Sequence, residues 1–68
     1  MINVESMGLW AGNVWSALNE KGTLDVKALK KATKLKEKEI YAALGWLARE
    51  GKVNVDETET NVVVSLIG

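Results

Sequence analysis

Apolar side chains recur three and four positions apart along three segments of the chain, which is the spacing of a helix with one buried face. The first helix is predicted over residues 3–20, with Asn3 and Ser6 as its start signal and Gly22 as its stop signal. Its buried stripe, beside Trp15, is expected to consist of Val4, Met7, Ala11, Val14 and Leu18.

Two further helices follow, joined by a short turn. The second is predicted over residues 26–33, because the Asp25 carboxylate can accept the free amide protons of a first turn. Its inward-facing residues are expected to be Val26, Leu29 and Ala32. The third is predicted over residues 36–50, with Gly51 in the left-handed conformation at its end. Its inner stripe is Ile40, Ala43, Leu44 and Leu47, and Leu35 is expected to fill the corner between the two helices.

After the third helix the pattern changes to a period of two, which indicates β-strands. The predicted hairpin comprises a strand over 52–57, a tip at 58–61 and a return strand over 61–67. Val53 and Val55 share one face of the first strand. The residues of the return strand that are expected to face the core are Val62, Val64 and Leu66. With a short extended piece at Thr23–Leu24, this order predicts an α+β, mainly α, winged helix-turn-helix fold.

Length and composition limit how such a fold is stabilised. Sixty-eight residues are expected to form a single domain, 1–68, and a chain this short buries only roughly 60% of its unfolded surface. The chain has no cysteine and no histidine, which removes disulfides and the usual zinc sites. Self-association is therefore the expected additional source of stability.

The sequence predicts a cytoplasmic protein without a membrane segment. It does not begin with a signal-peptide pattern, and no apolar stretch approaches the roughly 20 residues that span a bilayer.

A basic stripe is predicted on the second helix. Its lysines recur at i, i+3, i+4 and i+7 and continue into the third helix; they are Lys27, Lys30, Lys31, Lys34, Lys36 and Lys38. In helix-turn-helix docking the first helix of the pair crosses the phosphate backbone, so these lysines, with Tyr41, are candidate contacts to double-stranded DNA. A solvated surface face is the alternative. Nine basic and nine acidic residues give no net charge, which weakens the DNA hypothesis.

The outward face of the third helix fits a protein surface better than base edges. Only Lys38 and Arg49 on this face are residue types that commonly read bases. A mid-helix glycine costs about 1 kcal/mol relative to alanine, so another backbone is expected to approach closely at Gly45. Trp46 either belongs to that interface or folds back on the first helix or the wing. The candidate homodimer interface is Trp10, Ala42, Gly45, Trp46, Val63 and Ile67.

The predicted hairpin tip is acidic, with Asp56, Glu57 and Glu59 around it. Phosphate should repel such a tip, and the carboxylates also protect a strand edge. Both interpretations argue against a wing that contacts DNA.

No catalytic site is expected, because histidine and cysteine are missing and no serine has an evident activating partner. The Gly8–Gly12 spacing is not a phosphate-binding loop, since no strand precedes it, and close helix packing is expected there instead. The sequence predicts no enzyme, no cofactor, no metal site and no small-molecule substrate.

Two stretches resemble a known family. Ala-Gly-Asn-Val-Trp at 11–15 followed by Leu18, and Ala-Leu-Gly-Trp-Leu-Ala-Arg-Glu at 43–50, are similar to the signatures of a small bacterial winged helix-turn-helix family, found largely in gut Bacteroidetes and long listed as a domain of unknown function. The resemblance covers nearly the whole chain. It implies a three-helix winged fold, a homodimer and, by analogy, a nucleic-acid role. Two hypotheses stay open: a DNA-binding, transcription-regulator-like homodimer, and a protein-interaction module on the same fold that binds no DNA.

Overall fold

A computed structural model describes residues 3–67. The elements in chain order are α1 (Val4–Lys21), β1 (Thr23–Asp25), α2 (Val26–Thr33), α3 (Glu37–Arg49), β2 (Val53–Glu57) and β3 (Val62–Leu66). Their kinds and order are those of the predicted winged helix-turn-helix, with the predicted ends shifted by only one residue. The α+β, mainly helical class is confirmed.

Polar groups at both ends of α1 fix its length. The Asn3 side chain accepts a hydrogen bond from the Ser6 N–H at 2.8 Å, which caps the first turn. At the other end Gly22 has a φ of 93°, and its N–H donates to the Leu18 carbonyl at 2.6 Å. Both sequence signals for this helix are therefore confirmed.

The turn between α2 and α3 is closed by short-range hydrogen bonds. The Thr33 hydroxyl donates to the Leu29 carbonyl at 2.6 Å and accepts from the Leu35 N–H at 3.2 Å. Lys34 between them is left-handed, with φ 61° and ψ 21°, which turns the chain out of α2. At the start of α3 the Lys36 N–H donates to the Glu39 carboxylate at 2.8 Å.

The end of α3 leads directly into the wing. Gly51 has a φ of 71°, and its N–H donates to the Ala48 carbonyl at 3.0 Å. The Lys52 N–H donates to the Leu47 carbonyl at 3.0 Å, which completes a Schellman motif. The predicted role of Gly51 is confirmed, and the motif fixes the angle at which β2 leaves the helix.

The three strands form one antiparallel sheet in the order β1–β3–β2. Val64 at the centre of β3 pairs with Leu24 on one side and with Val55 on the other. The wing is the hairpin of β2 and β3, and its tip is closed by the Thr58 N–H donating to the Asn61 carbonyl at 2.8 Å. Because β3 is central, the wing is joined through β1 to the start of α2.

The core lies between α1, α3 and the inner face of the sheet. Its fully buried large side chains are Val14, Leu18, Leu29, Ile40 and Val64. The predicted inner stripe of α3 is buried throughout, and Leu35 packs against the core from the turn. Burying side chains of this size contributes about 1.5–3 kcal/mol each relative to exposure.

Three predicted inward positions are wrong. Val4 is 72% exposed, because the core contacts of α1 begin beyond its first turn. Ala32 is exposed, since Val26, Leu29 and Thr33, at i, i+3 and i+7, form the buried face of α2 and Ala32 lies about 90° away from it. Val55 is 42% exposed because β2 is an edge strand that leaves the core after Val53.

Asp25 joins three elements through one carboxylate. Its Oδ1 accepts from the Ala28 N–H at 2.7 Å, which confirms the predicted cap of α2. Its Oδ2 accepts from the Asn61 side-chain amide at 3.0 Å, at the foot of the wing tip. The Ala28 N–H first, and then the Asn61 amide, hold the pKa of Asp25 below its usual value. The ionised carboxylate therefore holds α2 and the wing together.

Replacing Asp25 tests this junction. Asp25→Ala is expected to reduce the free energy of unfolding by more than Asn3→Ala, because Asn3 caps only the exposed end of α1. Loss of an ordinary cap costs about 1 kcal/mol, which sets the scale for Asn3→Ala. Urea unfolding at pH 7 measures both variants, and equal losses would contradict the junction.

The same pair of proteins has a defined pH dependence. A carboxyl group whose pKa is lowered by folding stabilises the fold above its unfolded pKa, and that contribution disappears as pH falls through the folded pKa. The stability difference between wild type and Asp25→Ala is therefore expected to shrink below about pH 4 and to stay constant from pH 5 to 7. Urea midpoints across that range measure it.

Candidate nucleic-acid interface

The predicted basic stripe surrounds the helix-turn-helix turn, and all six of its lysines are exposed. Lys27, Lys30 and Lys31 lie on α2, Lys34 and Lys36 belong to the turn, and Lys38 lies in the first turn of α3. The predicted DNA-contacting lysines therefore extend along α2, through the turn and into the start of α3, and none of them is buried.

Lys34 occupies a backbone conformation that favours glycine. Its φ of 61° makes it the one non-glycine residue with positive φ among residues 3–67. For a residue with a Cβ this conformation costs roughly 1–2 kcal/mol. A strained residue in the middle of a basic surface is the kind of outlier from which a functional role is inferred.

A groove separates α2 and α3 from the wing tip. Lys27 and Lys30 line it from α2, and Tyr41, with an exposed fraction of 44%, lines it from α3. The acidic residues of this groove are Glu37, Glu57 and Glu59. Carboxylates therefore share the groove with the wing-side lysines, whereas Lys31 and Lys34 lie outside it.

One carboxylate is close enough to form an ion pair. The Lys30 ammonium lies 3.9 Å from a Glu37 carboxylate oxygen, and both side chains are largely exposed. Exposed pairs of this kind contribute about 0.2–1 kcal/mol at most. The pair adds little to stability, yet it reduces the positive charge that Lys30 presents.

The opposite side of α3 faces α1. Trp46 is partly buried against the core, and a Cβ added at Gly8 would lie 3.9 Å from its indole ring. Part of the indole therefore packs against α1, as one of the two predictions for Trp46 stated. Its remaining surface lines an open apolar groove with Met7 and Gly45.

The six predicted dimer-interface residues belong to α1, α3 and the end of the chain at β3. Gly45 and Trp46 share a groove, and Ala42 beside them is partly buried. Trp10 is partly buried against the core, and Val63 lies within the central strand. Ile67 is exposed just beyond the end of β3.

Sequence reasoning placed Trp10 of α1 in the dimer interface but missed three other residues of α1 beside Trp46. Gly8, Gly12 and Trp15 line a groove that continues past Trp46. Their spacing of four and then three was the available signal, because it places them together beside the buried stripe. A Cβ at Gly8 would make only an ordinary contact with the Trp46 ring, and a Cβ at Gly12 would meet no atom within 4 Å, so the expected close packing is wrong for Gly12.

Within residues 3–67, no helix is both long and apolar enough to cross a membrane. In the same part of the chain no cluster of acidic side chains has the arrangement of a metal site.

A family model described as a winged helix-turn-helix domain (DUF2582) matches residues 2–66. The chain belongs to this winged helix-turn-helix family. The family resemblance read from the sequence is thereby confirmed. No curated protein matches the chain.

Two solved structures share the fold. The solution NMR structure of protein BT2368 from Bacteroides thetaiotaomicron is 31% identical, with a TM-score of 0.83, over 96% of this chain and 79% of that one. The crystal structure of the AntR antimony-specific transcriptional repressor is 21% identical, with a TM-score of 0.73, over 82% of this chain and 50% of that one. At that identity the repressor shows the fold alone, and this chain matches half of its length.

Proposed function

We propose that this protein is a homodimeric DNA-binding module of the transcription-regulator type, acting in the cytoplasm and without enzymatic activity. The observation that carries the proposal is the set of six exposed lysines around the helix-turn-helix turn, with Lys34 held in a strained conformation at its centre. AntR, a transcriptional repressor with the same fold, supports the same class.

The geometry fits a complex dominated by phosphate contacts. In this fold α2 crosses the backbone while the start of α3 approaches the major groove. Lys31 and Lys34 reach phosphates flanking the groove, and Lys38 and Tyr41 lie nearest to the bases. Beyond Tyr41 the outward face of α3 offers Ala42 and Gly45, which carry no side-chain donors. We infer that affinity comes mainly from charge and that base readout is confined to the first turns of α3.

The wing has a different part in this complex. Glu57 and Glu59 place negative charge in the groove beside Lys27 and Lys30, where a phosphate would otherwise lie. Repulsion keeps the tip away from the DNA backbone. Duplex binding is therefore centred on Lys31, Lys34 and Lys38, and the wing does not enter the minor groove.

An amide-shift titration with a generic duplex at low salt tests the proposal directly. Perturbations are expected over residues 30–41, with the wing tip at 57–60 nearly unchanged. The absence of any perturbation at every protein concentration, even at about 20–50 mM salt, where phosphate binding is strong, would overturn DNA binding.

Neutralising one lysine should change the salt dependence in a predictable way. Lys31→Ala is expected to weaken duplex binding and to reduce the slope of log affinity against log salt by about 0.9. Asn54→Asp lowers the net charge by the same one unit at an exposed position of β2, outside the groove of Lys27 and Lys30, and is the matched control. Fluorescence anisotropy measures the duplex affinity of both variants between about 50 and 200 mM salt, a range in which such slopes are linear. Equal losses of slope would show that only net charge matters.

Replacing Lys34 is expected to change protein stability and DNA affinity in opposite directions. Lys34→Gly relieves the left-handed strain, so the free energy of unfolding is expected to rise by up to about 1 kcal/mol. The same change removes a phosphate contact, so duplex affinity is expected to fall. Urea unfolding and anisotropy on the same sample measure the two effects. A variant that is more stable and binds DNA as well as wild type would exclude Lys34 from the interface.

Glu37 offers a change in the opposite direction. Glu37→Gln frees Lys30 from its carboxylate partner and is expected to raise duplex affinity several-fold at low salt. Glu5→Gln, in the first turn of α1, removes the same charge at the end of the domain where Met7 lies beside Arg49, away from Glu37, and is the control. If Glu37→Gln binds DNA no better than the control, Lys30 does not contact phosphate.

A protein-interaction module that binds no DNA is the second candidate. The apolar groove around Trp46 favours it, because tryptophan is enriched at the buried centres of protein interfaces. In the amide-shift titration this candidate predicts silence over residues 30–41 together with shifts near Trp46 that depend on protein concentration.

A further inference from the structure

We infer that the face formed by α1 and α3 around Trp46 is where a second copy of this chain docks. This inference rests on the homodimer in the proposed function and adds its location. It replaces the scattered set read from the sequence, because the structure brings residues of α1 to the same surface as Gly45 and Trp46.

The two grooves of this face meet at Trp46. One is lined by Met7, Gly45 and Trp46, and the other by Gly8, Gly12 and Trp15, with Trp46 common to both. We name this surface the tryptophan face. Val4 and Trp15 are eleven residues apart on α1, which is three turns, so both exposed side chains extend the same apolar strip.

Two glycines on the tryptophan face are unexplained within one chain. Gly12 and Gly45 lie in the middle of helices, where glycine is the weakest helix former after proline. A Cβ added at either would meet no atom within 4 Å, so packing inside the chain does not require them. Both positions are explained if another backbone approaches there, as small residues at helix crossings allow.

The charges at the rim favour a copy of the same chain. Arg49, Lys52 and Glu50 border the grooves, so both signs are present on one face. In a two-fold contact the same patch meets itself, and Arg49 or Lys52 can then lie against Glu50 of the partner subunit. A nucleic acid would be repelled by Glu50 and would gain nothing from the apolar floor.

The size of the face also suits a dimer. A stable interface removes about 800 Å² from each partner, which is about one-sixth of this protein's accessible surface of 4674 Å². The α1 part of the face, from Val4 to Trp15, is about 17 Å long at 1.5 Å per residue, which is about three turns of helix. Trp46 lies about 140° around α3 from Tyr41, and Gly45 lies one turn beyond Tyr41, toward the end of the helix. Docking centred on Trp46 therefore leaves free the basic turn, which lies at the start of α3.

Sedimentation of the full chain with Gly45→Glu tests this location. Within one chain the new side chain meets open space and can pair with Arg49 one turn later, so the fold is expected to be at least as stable as wild type. At a two-fold contact it places carboxylates together in an apolar groove, and the dimer dissociation constant is expected to rise at least tenfold. Ala32→Glu adds the same charge at an exposed position of α2, outside both grooves of the tryptophan face, and should leave the dimer intact.

A second pair on α1 makes the test independent of α3. Gly12→Lys is expected to weaken the dimer at least tenfold, whereas Asn13→Lys, one residue away and outside the tryptophan face, should not. Urea unfolding at low concentration verifies that each variant folds. Weakening by either glycine variant, with its control unchanged, supports the inference.

Three results would overturn it: a dimer that survives both glycine variants, equal weakening by the controls, or a wild-type monomer at concentrations on the order of hundreds of micromolar, where functional dimers persist. None of these bears on DNA contact, which the amide shifts over residues 30–41 decide separately.

Discussion

The packing of α3 against α1 is the contact on which the rest of this structure depends. It buries Ile40 and Leu47 against Val14 and Leu18 in the only core that a chain of 68 residues can build. The tryptophan face lies where α1 meets α3 around Trp46, and the basic surface lies at the turn before α3. Both surfaces therefore owe their position to one helix–helix contact.

A second constraint ties the wing to this helix pair. The Schellman motif at Gly51 sets the direction of β2, and Asp25 connects the start of α2 to Asn61 at the wing tip. Since β3 pairs with β1 as well as with β2, the hairpin cannot swing independently of α2. The acidic tip is consequently fixed beside Lys27 and Lys30, where it reduces the charge that those lysines offer to phosphate.

Local rules made most of the fold predictable. The period of 3.6 located the buried stripe of α3, and the glycines and Asp25 marked the ends of the helices within one residue. The errors fall where tertiary context decides burial: Val4 precedes the core contacts of α1, Ala32 lies beside the buried face of α2, and Val55 is on an edge strand. The α1 side of the tryptophan face was missed because Gly12 and Trp15 acquire meaning only when α3 is placed beside them.

The proposed dimer resolves the conflict between a neutral chain and a DNA-binding fold. The carboxylates of Glu37, Glu57 and Glu59 reduce the positive charge of Lys27 and Lys30, so one protomer presents only a few ammonium groups to a duplex. Three or four phosphate contacts give weak binding at physiological salt, whereas six to ten give a steep dependence of affinity on salt, on the order of 10³–10⁵ between 50 and 200 mM. Joining two protomers through the tryptophan face doubles the contacts without adding net charge. In this arrangement, self-association is what makes so small a basic surface sufficient.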